Sequence, residues 1–150
     1  MAMIDVNIKA LTTVTYVVLP YLAKGAKIIQ VASSAAFLPQ PGFNVYAATK
    51  AYVHHFSKAL SIELKHRNIQ VLALCPGPVK TEFFTIASKD GKPADWKTKF
   101  MVNPRDVVSK ALKDAESNKM ESVYSLPMKL LKIISRIIPQ ELILKYFKWR

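Results

Sequence analysis

Apolar residues open the chain in a helical rhythm. Leu11, Val14, Val18 and Leu22 recur three and four apart, one face of a long buried helix over residues 3–22. Lys24-Gly25 is expected to end it, since glycine suits a left-handed C-terminal cap. The period then changes. Lys27-Ile28-Ile29-Gln30-Val31-Ala32 is a short β-branched run between Gly25 and Ser33-Ser34, as expected of a buried strand. Pro39-Gln40-Pro41-Gly42 has the backbone chemistry of a loop. A second long helix is predicted over 44–67 and a second strand over 69–74, closed by Pro76-Gly77-Pro78. Asn103-Pro104 is a good helix start, with proline at the first helical position; that helix should run to about Asn118. Residues 121–126 read as a last short strand.

Helices alternating with near-continuous apolar strands predict an α/β fold, a parallel sheet with helices on its faces. Residues 81–103 break that pattern. They are polar, interrupted and aromatic-bearing (Phe83, Phe84, Trp96, Phe100), and long enough for a functional lid rather than a plain connection. The pattern changes again after residue 126, so the chain divides into residues 1–126 and a tail, 127–150. In the tail Leu130, Leu131, Ile133, Ile134, Ile137 and Ile138 crowd together with Lys129, Lys132 and Arg136 among them. After Pro139 a second piece ends Tyr146-Phe147-Lys148-Trp149-Arg150. A basic amphipathic helix with terminal aromatics can lie in a membrane interface, giving peripheral membrane contact. The competing reading is a helix pair covering a sheet edge or a partner subunit.

Composition narrows the class. With 150 residues, 51% hydrophobic and 21% charged, the chain can bury a core and is globular rather than disordered. The single Cys75 excludes an internal disulfide framework and fits a reducing compartment; no leader-like segment opens the chain, and no uninterrupted apolar run reaches membrane-span length. A cytoplasmic location is expected. The net charge of +12 suits an anionic surface or a phosphate-bearing ligand as well as solvated helix faces. No dense basic run with interleaved aromatics supports nucleic-acid binding.

Chemistry concentrates around Tyr46 and Lys50. Four apart on a helix, the phenol and the ammonium point into the same space, and the positive charge should favour the phenolate. A tyrosine brought toward neutrality can serve as a general acid or base. Ser33, thirteen residues before Tyr46 at the end of the first strand, could bind the oxygen that exchanges the proton; Ser34 competes for that role. His54, His55 and His66 read as surface or interface residues rather than metal ligands.

Ser33, Tyr46-Ala47-Ala48-Thr49-Lys50 and Pro76-Gly77-Pro78-Val79-Lys80-Thr81 together resemble the second half of a short-chain dehydrogenase/reductase. That family carries Tyr-x-x-x-Lys, a serine thirteen residues upstream, and a Pro-Gly-x-Val-x-Thr turn after the following strand. Asn7 resembles its catalytic asparagine. The resemblance runs from about Met3 to Asn118, with Ala36 where glycine is frequent. It implies part of a Rossmann-like doubly wound sheet and an oxidoreductase that interconverts a carbonyl and an alcohol by hydride transfer with NAD or NADP. Tyr46 would be the general acid/base, and Lys50 would lower its pKa and bond the nicotinamide ribose. Ser33 would orient the substrate oxygen, and Asn7 would hold a water on a proton relay. Pro76, Gly77, Val79 and Thr81 would line the nicotinamide, although the Thr81 hydroxyl suits a helix cap equally well. A hydrophobic small-molecule substrate and a homo-oligomer paired through the two long helices are further implications.

A Gly-rich pyrophosphate turn is not found among Gly25, Gly42, Gly77 and Gly91. Met1 therefore reads as internal, and the chain as the C-terminal portion of a longer enzyme, with the isolated piece inactive. The alternatives are a non-catalytic relative that keeps the fold for binding, or a membrane-surface protein acting through its tail.

Overall fold

A computed structural model describes residues 1–83 and 98–146. Helix α1, Ala2–Tyr21, is not uniform. Residues Asp5–Ala10 widen into π-helical turns, Leu11–Val18 are α-helical, and Leu19–Tyr21 tighten into a 3-10 turn. Pro20 accounts for the tightening, because it offers no N–H to the preceding turn. The helix thus stops at Tyr21. Gly25 is no helix cap: at φ +88° it turns the chain into strand β1, Lys27–Val31, and its amide donates to the Asn68 carbonyl at 2.9 Å.

Helix α2, Asn44–Glu63, carries the chain to β2, Gln70–Leu74, after a 3-10 extension over Leu64–Arg67. Asn68, at φ 54°, makes the left-handed turn between them. Helix α3, Pro104–Glu116, begins as predicted; the Asn103 side chain accepts from the Arg105 amide at 2.9 Å. Strand β3 is only Glu121–Ser122, shorter than the apolar pattern predicts. Pro127 suits the first turn of helix α4, Leu126–Ile137. Helix α5, Gln140–Tyr146, follows Pro139.

The three strands are parallel in the order β1-β2-β3, with Ile29 opposite Leu72 and Leu74 opposite Ser122. Alternation along the strands sorts side chains to two faces. Ile28, Val71 and Ala73 pack with α1, α2 and α4 through Leu19, Leu60, Val53 and Met128. Ile29, Leu72 and Leu74 pack with α3 through Val107, Ala111 and Ala115. This is the doubly covered α/β arrangement that the sequence pattern predicts. Among the described residues β1 has one strand partner, so its outer edge is open.

By length and composition, α1 is apolar enough to cross a membrane, at a mean hydropathy of 1.4, although no uninterrupted apolar run reaches that length. The face expected to be buried is not: Val14 and Val18 are exposed, Leu19 alone is buried among the α1 residues, and polar side chains tie the helix to α2 and β1. Thr12 hydrogen-bonds Tyr52 at 2.7 Å, Gln30 donates to Thr15 at 3.0 Å, and Asn7 donates to Thr49 at 3.1 Å.

Candidate active site

Open parallel sheets bind ligands beyond the carboxyl ends of their strands. Here that region holds a cavity of about 770 Å³, and Asn7, Ser33, Tyr46, Lys50, Pro76, Gly77, Val79 and Thr81 all line it. Each arrives from a different piece of local chemistry. Ser33 follows β1 and caps a 3-10 turn over Ser34–Phe37, its Oγ accepting from the Ala35 amide at 3.1 Å. That bond leaves the hydroxyl proton free to donate. The Ser33 side chain faces the Tyr46 phenol and favours its ionised form. Ser34 is held differently: its amide donates to the Pro76 carbonyl at 2.8 Å, which stitches the two strand ends together.

Tyr46 and Lys50 occupy the first turns of α2, one turn apart. The Lys50 ammonium lies 5.8 Å from the Tyr46 ring centroid and donates to the Val31 carbonyl at 2.8 Å. Burial pushes the Tyr46 phenol above its ordinary value, and the Ser33 hydrogen bond offsets only part of that. The downward shift expected from Lys50 is thus not what this arrangement produces. Lys50 is itself half-buried, and the loss of water pulls its own pKa down.

Asn7 sits in the π-helical stretch of α1, a wide-turn geometry common at functional sites. Its amide donates to Thr49, whose hydroxyl bonds back to the Tyr46 carbonyl at 2.9 Å. Thr49 is buried and connects Asn7 to the helix that carries Tyr46.

Past β2 the chain runs through Pro76-Gly77-Pro78 to an isolated parallel bridge between Val79 and Val102. That bridge uses the Pro78 carbonyl and the Lys80 amide, so the Val79 amide takes no part in it. Thr81 is exposed and accepts from the Phe83 amide at 3.4 Å, the geometry of a helix-capping hydroxyl. Phe83 closes on Tyr46, with ring centroids 5.3 Å apart. Of the proposed lid, Phe84 and Trp96 lie outside the described residues; Phe100 is exposed.

The cavity walls include residues that the sequence pattern did not single out for the site. Val6 and Met3 come from α1, Gln40 and Phe43 from the loop before α2, Val107 and Val108 from α3, and Met128 and Leu131 from α4. Gly77 lies directly under Met128: a Cβ there would fall 2.7 Å from the Met128 Cγ. The signal in the sequence was the proximity of α4 to Glu121–Ser122, which only the sheet register makes spatial.

His54 is buried, not at the surface. With Cys75 and Glu121 it forms a cluster whose potential ligand atoms lie within 4.8 Å of one another. Lys132 already bonds Glu121 at 2.9 Å and stands where a cation would neutralise that carboxylate. His54 shares a helix face with Lys50, which could have revealed its burial.

Comparison with known proteins places this geometry. The short chain dehydrogenase family model matches residues 1–92. Human dehydrogenase/reductase SDR family member 4 is 43% identical over 82 residues, covering 53% of this chain and 30% of that protein. Serine 3-dehydrogenase of Agrobacterium fabrum is 35% identical over 103 residues, 68% of this chain and 41% of its own length. A short-chain dehydrogenase from Sphingobium yanoikuyae, solved in complex with NADPH, matches at a TM-score of 0.71 and 23% identity, over 97% of this chain and 56% of that one. A Caenorhabditis elegans short-chain dehydrogenase/reductase, solved with cofactor, matches at 0.66 and 27% identity, over 83% and 53%. The chain spans about a third of the length of the first curated relatives it matches. With the family match covering more than half of its residues, this chain belongs to the short-chain dehydrogenase family.

Proposed function

We propose that the protein carrying this chain is an oxidoreductase that interconverts a carbonyl and an alcohol with NAD or NADP, using Tyr46 as general acid/base. One observation carries the reading: Asn7, Ser33, Tyr46 and Lys50, from three separate elements, converge on one largely apolar cavity at the strand ends.

The residues present suit a nicotinamide group. The Val79 amide is outside its bridge, the Lys50 ammonium reaches the cavity, and Thr81 presents a hydroxyl at the rim. These three would hold the carboxamide, the ribose and the adjoining polar atoms. When bound, the cofactor supplies or accepts the hydride at the substrate carbon. In reduction, the Tyr46 O–H donates its proton to the carbonyl oxygen while the Ser33 hydroxyl donates a hydrogen bond to the same atom. Burial disfavours the phenolate, which suits the protonated phenol from which this direction starts. In oxidation the phenolate removes the alcohol proton. Lys50 is the cation among the described lining residues that stabilises the phenolate. Asn7, fixed through Thr49, positions the proton path beside Lys50. Phe43, Phe83, Met128 and Leu131 suit a hydrophobic substrate. Pairing of subunits through the outer faces of α1 and α2 fits the exposed Val14, Val17 and Ile62.

Tyr46→Phe in that protein is expected to lower carbonyl reduction by roughly 10²–10⁴-fold while leaving cofactor affinity nearly unchanged. Undiminished turnover would remove Tyr46 from the acid/base role. The 150 residues alone, without a Gly-rich turn, are expected to bind cofactor weakly. A tight, stoichiometric titration of the isolated chain would contradict that.

A further inference from the structure

Helix α4 has two faces that do different things. Met128 and Leu131 turn inward and line the cavity. Leu126, Leu130, Ile133 and Ile137 follow one another four, three and four residues apart and are 77%, 57%, 52% and 75% exposed. At about 100° per residue this row lies on the side of the helix opposite Met128 and Leu131. Lys129 and Arg136, seven apart and exposed, flank the row. Beyond Pro139, α5 adds exposed Leu142, Tyr146 and Lys145. Glu141 is the one carboxylate on the described residues of the two helices, against Lys129, Lys132, Arg136 and Lys145. Lys132 is engaged by Glu121.

A contiguous exposed apolar row needs an occupant. The cations beside it decide which. A second copy would bring the same basic border against itself, in a chain whose net charge is already +12. An anionic lipid surface instead accepts both features, apolar side chains at the acyl boundary and cations among the headgroups.

We propose that α4 and α5 dock this chain on an anionic bilayer, with Leu126, Leu130, Ile133 and Ile137 entering the interface and Lys129, Arg136 and Lys145 meeting lipid phosphates. Docking stands independently of the oxidoreductase reading. Taken with that reading, it sets the cavity one helix thickness from a reservoir of apolar substrates.

Vesicle flotation of the purified full chain tests this without any activity assay. Vesicles of phosphatidylcholine with roughly a third phosphatidylserine should carry the chain, and pure phosphatidylcholine should carry far less; added salt should weaken the binding. Ile133→Asp with Ile137→Asp should abolish flotation. Lys129→Glu with Arg136→Glu should lower partitioning by more than roughly thirtyfold, the loss expected from removing two cations alone. Lys65→Glu with Lys113→Glu changes the net charge equally but away from α4, and should have a much smaller effect. All six positions are exposed, so circular dichroism should report unchanged folding. Flotation that survives both α4 variants would overturn the proposal. So would equal loss in the remote lysine variant. If light scattering shows the Ile133→Asp/Ile137→Asp variant splitting a dimer while vesicle binding persists, the face belongs to a second copy and the proposal fails.

Discussion

Tyr46 ionises less readily than a free tyrosine because burial withholds water from the phenolate, and the Ser33 hydrogen bond recovers only part of that loss. The four-residue spacing correctly brings phenol and ammonium to one cavity. It does not reveal that Lys50 also leaves water and bonds the Val31 carbonyl, or that burial outweighs any charge effect on the phenol. Burial acts in the same direction on Cys75. Desolvation, reinforced by the Glu121 charge, pushes its thiol up to about 12. The thiol is therefore neither nucleophile nor exposed reductant. Thiol-specific reagents at neutral pH are expected to leave Cys75 unmodified in the folded chain and to modify it fully in denaturant. Rapid labelling of the native protein would show that the β2 end is open.

Among the elements, the Pro76–Pro78 turn and α4 meet closely. Gly77 is needed there for closeness rather than for backbone freedom, since its added Cβ would meet Met128 Cγ at 2.7 Å and Sδ at 3.0 Å. Gly77→Ala should cost about 1–2 kcal/mol, softened by the flexibility of methionine. Met128→Ala in the same chain should cancel part of that cost, a coupling that urea melts of the four variants measure. Strictly additive losses would mean that α4 does not sit over the turn. The periodicity that predicts α1 and α2 is strong because long amphipathic helices repeat their signal over many turns. The end of α1 and the brevity of β3 were harder to read. Pro20 overrides a continuing apolar pattern in α1, and one proline carries little weight against a run of matching positions.

At the scale of the whole molecule, two ion networks tie the last helices to the sheet. Burial opposes ionisation of Asp114, yet hydrogen bonds from Lys110, Lys119 and Ser122 prevail and hold its carboxyl at about 2. Burial likewise opposes ionisation of Glu121, and His54 and Lys132 bring it down to about 2. Both groups therefore bind protons more weakly in the folded state than in the unfolded one. Their contribution is fully present above the unfolded values, 3.8 for aspartate and 4.5 for glutamate, and is lost as pH falls toward about 2. Thermal melts should show Tm falling steeply below about pH 4.5. Asp114→Asn should lower Tm at pH 7 and flatten that acid slope. An unchanged slope in Asp114→Asn would mean that the Lys110–Asp114–Lys119–Ser122 network does not form.

The order of helices and strands, the two-faced burial of β2 and the set Asn7, Ser33, Tyr46 and Lys50 are all legible along the chain. Periodicity records where an element runs, and motif spacing records which turn a side chain occupies; which side of α1 is covered was not legible, since Val14 and Val18 stay exposed. Tertiary structure decided the rest. It buried His54 beside Glu121, held Asn7 through Thr49, and brought Met128 and Leu131 over the cavity, joining residues from about 40 to about 120 positions apart. Such contacts depend on sheet register and helix crossing, and a one-dimensional pattern encodes neither. The same closure set the Tyr46 pKa, because its desolvation is the work of the whole cavity wall and not of the residue four places along the helix.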